Sequence, residues 1–397
     1  MNPVAIIFDN FGPYHLARLR AGAAACDLLA IEVAGRSATY AWETGTASGA
    51  FRHETLIDHG TSEDVPRGEI ARRLCAALDR FRPAAVVVPG WATPAAWTAM
   101  DWCARHNVGM VCLSESTAWD EPPSGWKQAL KRRLVRRFSS ALVGGKHHAD
   151  YLVRLGLPAD RIFLGYDAVD NAYFANGADA IRACPDEARR TYGLPPNYFL
   201  ASARFVEKKN LERLLEAYAR YLARAGSDPW PLVLLGDGPL RPALVQKRDA
   251  LDLRSSVLLP GFRQYTDLPA YYALAGAFIH ASTIEPWGLV VNEAAASGLP
   301  LLVSNRCGCA PELVHDGVNG FTFEPLDGDT LSELMARVAA PDFPRAEFGA
   351  YSREIVAAWG PERFGQGLAQ AVDLALAGAP NPPGLVDRAL LSLLARR

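Results

Sequence analysis

The chain reads as an α/β protein built from two parallel-sheet domains, and three observations predict this. Its 397 residues exceed what one ordinary core holds together, so two domains of roughly 150 to 200 residues are expected. Half of the residues are hydrophobic, enough to fill a core in each. Short apolar runs of strand length alternate with helix-period segments through both halves. This is the pattern of βαβ units, whose sheets are covered on both faces. The expectation is two Rossmann-like domains facing across a cleft.

The elements follow in order. In the first half the strand-like runs are Val4 to Phe8, Leu28 to Val33, Ala85 to Val88, Met110 to Leu113, Ala141 to Val143 and Ile162 to Leu164. In the second half they are Tyr198 to Ala201, Leu232 to Leu235, Ser256 to Leu259, Ala277 to Ala281, Leu301 to Val303 and Phe321 to Phe323. Between the halves, Asn171 to Pro196 loses the strand pattern and reads as linker and hinge. The predicted organisation is an N-terminal domain over 1–172, a linker over 173–196 and a C-terminal domain over 197–370. A helical tail over 371–397 is expected to pack back towards the first domain. In such sheets ligands sit beyond the carboxyl ends of the strands.

Composition excludes several classes. A net charge of −2 gives no reason to expect nucleic acid as partner. Seven cysteines without framework spacing suggest a reducing compartment. The start runs straight into a strand pattern, with no signal-peptide signature. No apolar run approaches the ~20 residues of a membrane span. A soluble cytoplasmic protein is expected.

The most informative chemistry lies in Glu285-Pro286-Trp287-Gly288-Leu289-Val290-Val291-Asn292-Glu293. A strand-like run precedes it and a helix-forming segment begins at Leu289. Strand, glycine loop and helix start together point backbone N–H groups and a positive helix end at an anion. Glu285 in the loop and Glu293 one turn into the helix then flank that anion and can grip hydroxyls on either side. A phosphate between two polyols describes a sugar nucleotide. The competing reading is a chance spacing, with Glu293 a solvated helix residue. Arg204 and Lys209, in Ser202-Ala203-Arg204-Phe205-Val206-Glu207-Lys208-Lys209-Asn210, leave a strand top and enter a helix start at Leu211. Both side chains suit phosphate oxygens. The alternative is an ordinary basic loop, partly neutralised by Glu207 and Glu212.

In order and spacing these motifs resemble the donor site of retaining GT-B glycosyltransferases, family 4 in particular, also described as glycosyl transferases group 1. Arg204 and Lys209 match that family's Arg-x4-Lys pair, with Ala203 and Asn210 where glycines are usual. Gly236-Asp237-Gly238-Pro239 matches a structural turn, and Leu259 to Arg263, Gly308 to Glu312 and Asp316 to Gly320 follow in the family's order. The resemblance covers most of the chain and is strongest from Ala201 to Pro325. It implies Glu285, Arg204 and Lys209 as catalytic residues. It implies Glu293 on the ribose, amides at Gly288 and Leu289 on phosphate and sugar, and Phe262 and Arg263 at the base. No cofactor and no metal are implied, only a nucleotide diphosphate sugar as donor substrate. Asp327-Gly328-Asp329 mimics the metal grip of another glycosyltransferase fold, but it precedes a helix pattern, where an N-cap is expected.

The first half is expected to bind the acceptor, a small molecule, glycan or lipid-linked sugar. Gly12, in Asp9-Asn10-Phe11-Gly12-Pro13-Tyr14-His15, matches a glycine-rich turn near the donor phosphates, although Pro13 departs from the pattern. His15, Trp91 and Glu115 are the acceptor-binding candidates; Glu115 stands where the family commonly has His. Trp126 to Phe138 is basic and free of acidic residues. It fits either a helix lying on anionic lipid at the inner face of a membrane, or a helix packed on its own sheet with a cationic outer face, the reading favoured. Two rivals to a transferase stay open: a sugar-nucleotide-binding pseudoenzyme and a GT-B nucleotide-sugar epimerase.

Overall fold

Buried β-branched and aliphatic runs separated by helices leave parallel pairing as the way to satisfy the strand backbones, and both sheets are parallel throughout. The computed structural model describes residues 2–36, 51–120, 124–226, 228–378 and 384–396. The chain divides into two compact units, Met1–Ala168 with Pro361–Arg397, and Val169–Gly360.

The first unit contains β1 (Pro3–Phe8), α1 (Pro13–Ala25), β2 (Asp27–Ala34), β3 (Arg52–Ile57), α2 (Arg67–Phe81) and β4 (Ala85–Pro89). It continues through α3 (Pro94–His106), β5 (Gly109–Ser114), α4 (Gly125–Val135), β6 (Ser140–Val143), α5 (Lys146–Leu155) and β7 (Ile162–Leu164). The sheet order is β3, β2, β1, β4, β5, β6, β7. The sequence expectation lacked β3. Arg52, His53 and Glu54 open it, and it lies at the sheet edge, where charged residues protect a strand that has only one neighbour.

The second unit opens with α6 (Asn171–Ala183) and α7 (Pro185–Tyr192). It then runs through β8 (Phe199–Ser202), α8 (Leu211–Arg224), β9 (Leu232–Leu235), α9 (Arg241–Ala250), β10 (Val257–Gly261), α10 (Leu268–Leu274) and β11 (Ala277–His280). It ends with α11 (Leu289–Ala296), β12 (Leu301–Ser304), α12 (Ala310–Leu313), β13 (Gly320–Phe323), α13 (Gly328–Ala339) and α14 (Arg345–Ala357). The sheet order is β10, β9, β8, β11, β12, β13. On α8 the apolar residues Leu211, Leu214, Leu215 and Tyr218 are buried against this sheet.

Residues 173–196, read from the sequence as linker, lie mostly in α6 and α7 and pack within the second unit. Phe174 meets the rings of Tyr265 and Tyr272 edge-on at 5.4 and 5.8 Å. Gly177 lets Pro269 approach so closely that a Cβ there would sit 2.8 Å from the proline ring. The buried stripe is sparse (Phe174, Ala178, Ala188), which is why composition alone suggests a linker.

The C-terminal helices α15 (Pro361–Ala377) and α16 (Leu385–Arg396) belong to the first unit. On α15, Phe364, Leu368, Ala371 and Val372 join the core on one face of the first sheet. Leu391 of α16 joins the core on the opposite face. Of the expected tail, residues 379–383 and 397 lie outside the described residues.

Each sheet has one place where the strand order reverses direction, between β1 and β4 and between β8 and β11. At such a switch point the two following loops part in opposite directions and leave a crevice at the carboxyl ends of the strands. In the second unit those loops are 203–210 and 281–288. In the first they begin at Asp9 and Gly90.

Candidate active site

The second-unit site is assembled by hydrogen bonds between these two loops. After β8 the chain makes a 3-10 turn at Glu207–Lys209 and then enters the left-handed region at Asn210, φ 57°. The Asn210 side-chain amide donates to the Ala281 carbonyl at 3.1 Å and to the Pro325 carbonyl at 2.7 Å. The Thr283 amide donates to the Lys208 carbonyl at 2.9 Å. The basic loop is thereby tied to the acidic one.

Lys209 donates its ammonium to Oε2 of Glu285, and both side chains are nearly buried. The same oxygen meets Nε2 of His280 at 2.9 Å and the Ser282 hydroxyl at 3.0 Å. Burial disfavours the Glu285 charge, but Lys209 and the His280 hydrogen bond outweigh it and hold the carboxyl well below the usual range. Burial moves His280 the other way, lowering its pKa against the pull of Glu285. The pair is therefore a carboxylate facing a neutral imidazole.

Glycine is required at Gly288, the N-cap of α11, where φ is 104°. A Cβ there would also approach Glu285 Cγ at 3.4 Å and Cys309 Sγ at 3.5 Å. The following helix opens at Leu289, where the Val291 amide donates to the Gly288 carbonyl at 2.8 Å and the helix start points its positive end outward. Trp287, buried beneath the loop, donates its indole N–H to Asn292 at 2.8 Å. Glu285 exchanges backbone hydrogen bonds with the 306–308 segment, accepting from Gly308 at 3.0 Å and donating to Arg306 at 3.2 Å.

Glu293, one turn into α11, is fully buried and accepts a 2.6 Å hydrogen bond from the Tyr272 hydroxyl. Arg204 is exposed on the loop after β8. Phe262 is 37% exposed beyond β10, and Arg263 donates to the Tyr271 hydroxyl at 2.7 Å. The turn after β9 also needs its glycines: Cβ atoms at Gly236 and Gly238 would lie 1.8 and 2.7 Å from the carbonyl oxygens of Ala203 and Phe205. Asp327 caps α13, accepting from the Asp329 and Thr330 amides at 3.1 and 3.0 Å, as its position before a helix predicts.

In the first unit the β1–α1 loop is held by Glu32, which accepts from the Phe11 amide at 2.6 Å and the Thr55 hydroxyl at 2.9 Å. Gly12 caps α1, and its amide donates to Nδ1 of His15 at 3.1 Å. Burial, then the nearby Arg18, lowers the His15 pKa well below its ordinary value. A neutral ring accepting at Nδ1 carries its proton on Nε2. Trp91 and Glu115 line one cavity of about 250 Å³ at the ends of β4 and β5, together with Gly90, Ser114, Ser116 and Tyr166.

Asp167, next to Tyr166 in sequence, is fully buried with its carboxyl against that of Glu115. Burial and the neighbouring Glu115 carboxyl push its pKa well above the usual range, and Arg18 offsets them in part. Arg18, also buried, donates to the Tyr14 and Tyr166 carbonyls at 3.2 Å.

Six of these residues escaped the sequence reading: Arg18, Glu32, Asp167, Tyr272, His280 and Ser282. His280 alone left a signal, a polar residue inside an apolar strand run.

Residues 186–355 match the model of the family described as Glycosyl transferases group 1. The chain carries a glycosyl transferases group 1 domain. Alpha-D-kanosaminyltransferase of Streptomyces kanamyceticus is 31% identical over 57% of the chain, which spans 60% of that protein's length. D-inositol 3-phosphate glycosyltransferase of Saccharomonospora viridis is 27% identical over 75% of the chain and 74% of its own. Among solved structures, Anabaena HepE in complex with UDP and glucose superposes with a TM-score of 0.73 at 18% identity, over 94% of this chain and all of that one. Sucrose-phosphate synthase from Thermosynechococcus elongatus gives 0.73 at 18%, over 95% of this chain and 100% of that one. The group 1 domain thus sits in a chain of GT-B fold, as its motif order suggested.

Proposed function

We propose that the chain is a retaining glycosyltransferase of hexosyl type that moves a sugar from a nucleotide diphosphate sugar to a hydroxyl-bearing acceptor. One observation carries the reading. At the switch point between β8 and β11, Lys209, Glu285 and the N-terminal end of α11 are tied into one cluster. A helix start and a cation suit a diphosphate, and a carboxylate suits sugar hydroxyls. Lys209 and Arg204 meet the charge that grows on the leaving diphosphate, and this positive charge is what makes the reading metal-independent. Glu285 holds the transferred sugar, the amides at Gly288 and Leu289 the phosphate, and Glu293 the ribose once Tyr272 yields or shares it. Phe262 and Arg263 flank the base, and Gly12 keeps its assignment to the donor phosphates.

In the reaction the bond from the sugar carbon to the phosphate oxygen breaks as the bond to the acceptor oxygen forms on the same face. The departing phosphate oxygen takes the acceptor proton. His15, Trp91 and Glu115 serve the acceptor, the last two from the cavity they share.

The same reading assigns the protein to the cytoplasm, where its cysteines, all unpaired, stay reduced. No helix among the described residues is long and apolar enough to cross a membrane. Leu134 and Phe138 are buried, as the favoured reading of a helix packed on its own sheet requires, and a peripheral contact with anionic lipid would use the start of α4, where Trp126 is 70% exposed beside Lys127.

A thermal-shift screen over UDP-, GDP-, ADP- and TDP-sugars tests the reading, because a ligand that binds only the folded state raises the transition temperature. A hit followed by acceptor-dependent release of nucleoside diphosphate supports transfer. Stabilisation without turnover, or acceptor-free conversion of the sugar, overturns it.

A further inference from the structure

Three donors converge on one oxygen of Glu285, and none of the hydrogen bonds among the described residues ends on the other. Lys209, His280 and Ser282 all reach Oε2. Three contacts on one atom do more than neutralise a charge, since Lys209 by itself would do that. They fix the position of Oε2. Glu285 keeps 8% of its surface exposed, and the other donors are more deeply buried, His280 at 2% and Ser282 at 0%.

We infer that His280 is a positioning residue for Glu285: with Ser282 it pins Oε2 so that Oε1 is turned towards the donor sugar's hydroxyls. The inference rests on the reading of Glu285 as the sugar-binding carboxylate.

The proton placement follows from the chemistry of the pair. An ionised carboxylate can only accept, so Nε2 of His280 must carry the hydrogen. The charged groups around the ring are Glu285 and Lys209. Burial and the ammonium both oppose a second proton on the imidazole, which stays neutral with Nδ1 bare. A neutral donor suits this task, because an imidazolium would compete with Lys209 for the carboxylate and add positive charge beside the sugar. His280 also stands at the last residue of β11, its ring parallel to that of Phe278 at 6.3 Å. The strand end and the stacked ring hold the imidazole in one orientation, as a positioning group requires.

Two measurements on the full chain test this. In the first, 15N spectra of histidine-labelled protein should show His280 as the neutral Nε2–H tautomer at pH 7; a proton on Nδ1 overturns the inference. In the second, release of nucleoside diphosphate from UDP-glucose, ADP-glucose, GDP-mannose and TDP-glucose is compared in four proteins. His280→Phe keeps the ring stack but not the donor, and should lower kcat by about 10- to 100-fold, the range typical of groups that orient an active ligand. UDP affinity should be retained, which also shows that the variant folds. His280→Gln, whose amide can reach Oε2, should restore kcat to within about threefold. A His280→Phe enzyme with unchanged kcat, beside a Glu285→Gln enzyme that is inactive, overturns the role of His280 alone. Full activity in Glu285→Gln, or no release from any donor by the unmodified chain, removes the underlying reading and the inference with it.

Discussion

The side chain of Asn210 bonds the carbonyl of Ala281 at 3.1 Å and so ties the loop after β8 to the loop after β11. Its φ of 57° explains why glycine is usual at this position in the family. Asn tolerates the left-handed region because its short amide bonds locally, and here that amide also serves as the tie. Asn210→Ala removes two hydrogen bonds and strains the backbone. A loss of about 2–3 kcal/mol is expected in urea unfolding. Asn210→Gly relieves the strain and should lose less; equal losses in the two variants would count against this account.

Breaking the Lys209–Glu285 pair from one side leaves a carboxylate that burial disfavours. Removing one partner of such a pair costs about 3–5 kcal/mol. With His280 and Ser282 still donating, Lys209→Met should lie near the lower limit. Glu285→Gln added to Lys209→Met should recover part of the loss, and a double-mutant cycle measures the coupling. Because the folded pKa of Glu285 is depressed, its stabilising contribution is fully present above the unfolded value of about 4.3 and is lost as pH falls through the folded value. The stability gap between the unmodified chain and Glu285→Gln should therefore narrow on acidification. A gap independent of pH would argue against an ionised Glu285.

Asp167 behaves in the opposite sense. Burial and Glu115 raise its folded pKa, so its contribution to stability is present below the unfolded value of about 3.9 and is lost as pH rises through the folded value. Asp167→Asn mimics the neutral acid at every pH. The variant should gain on the unmodified protein as pH climbs from 4 to 8 in denaturant titrations. Parallel stability curves over that range would show that Asp167 is ionised in the folded state.

Glu285→Gln should lower transfer by on the order of 10²-fold or more, as loss of a group aimed at the reacting sugar does, with nucleotide affinity nearly intact. Arg204→Ala should weaken both turnover and diphosphate binding, as its proposed contact with the phosphates requires. Steady-state kinetics with calorimetry on UDP or GDP separates the two patterns. Normal turnover in Glu285→Gln would remove it from the catalytic assignment, and undiminished diphosphate binding would do the same for Arg204.

Local pattern determined much of this protein. Alternating apolar runs and helical segments specify parallel sheets because strand and helix periods are properties of neighbouring residues, and twelve of the thirteen strands among the described residues are legible that way. The thirteenth, β3, is charged because it lies at an edge, and edge position is not a local property. Glu285, Lys209 and Gly288 are legible as well, since each stands in a loop that must follow a strand and precede a helix. Tertiary structure decided who meets whom. Lys209 and Glu285 are far apart in sequence and touch because the strand order reverses between β8 and β11. His280 and Ser282 stand only five and three residues from Glu285, but their burial, like that of Asp167, comes from the packing around them. Burial and convergence set charge states and orientation, and no spacing along a chain encodes them.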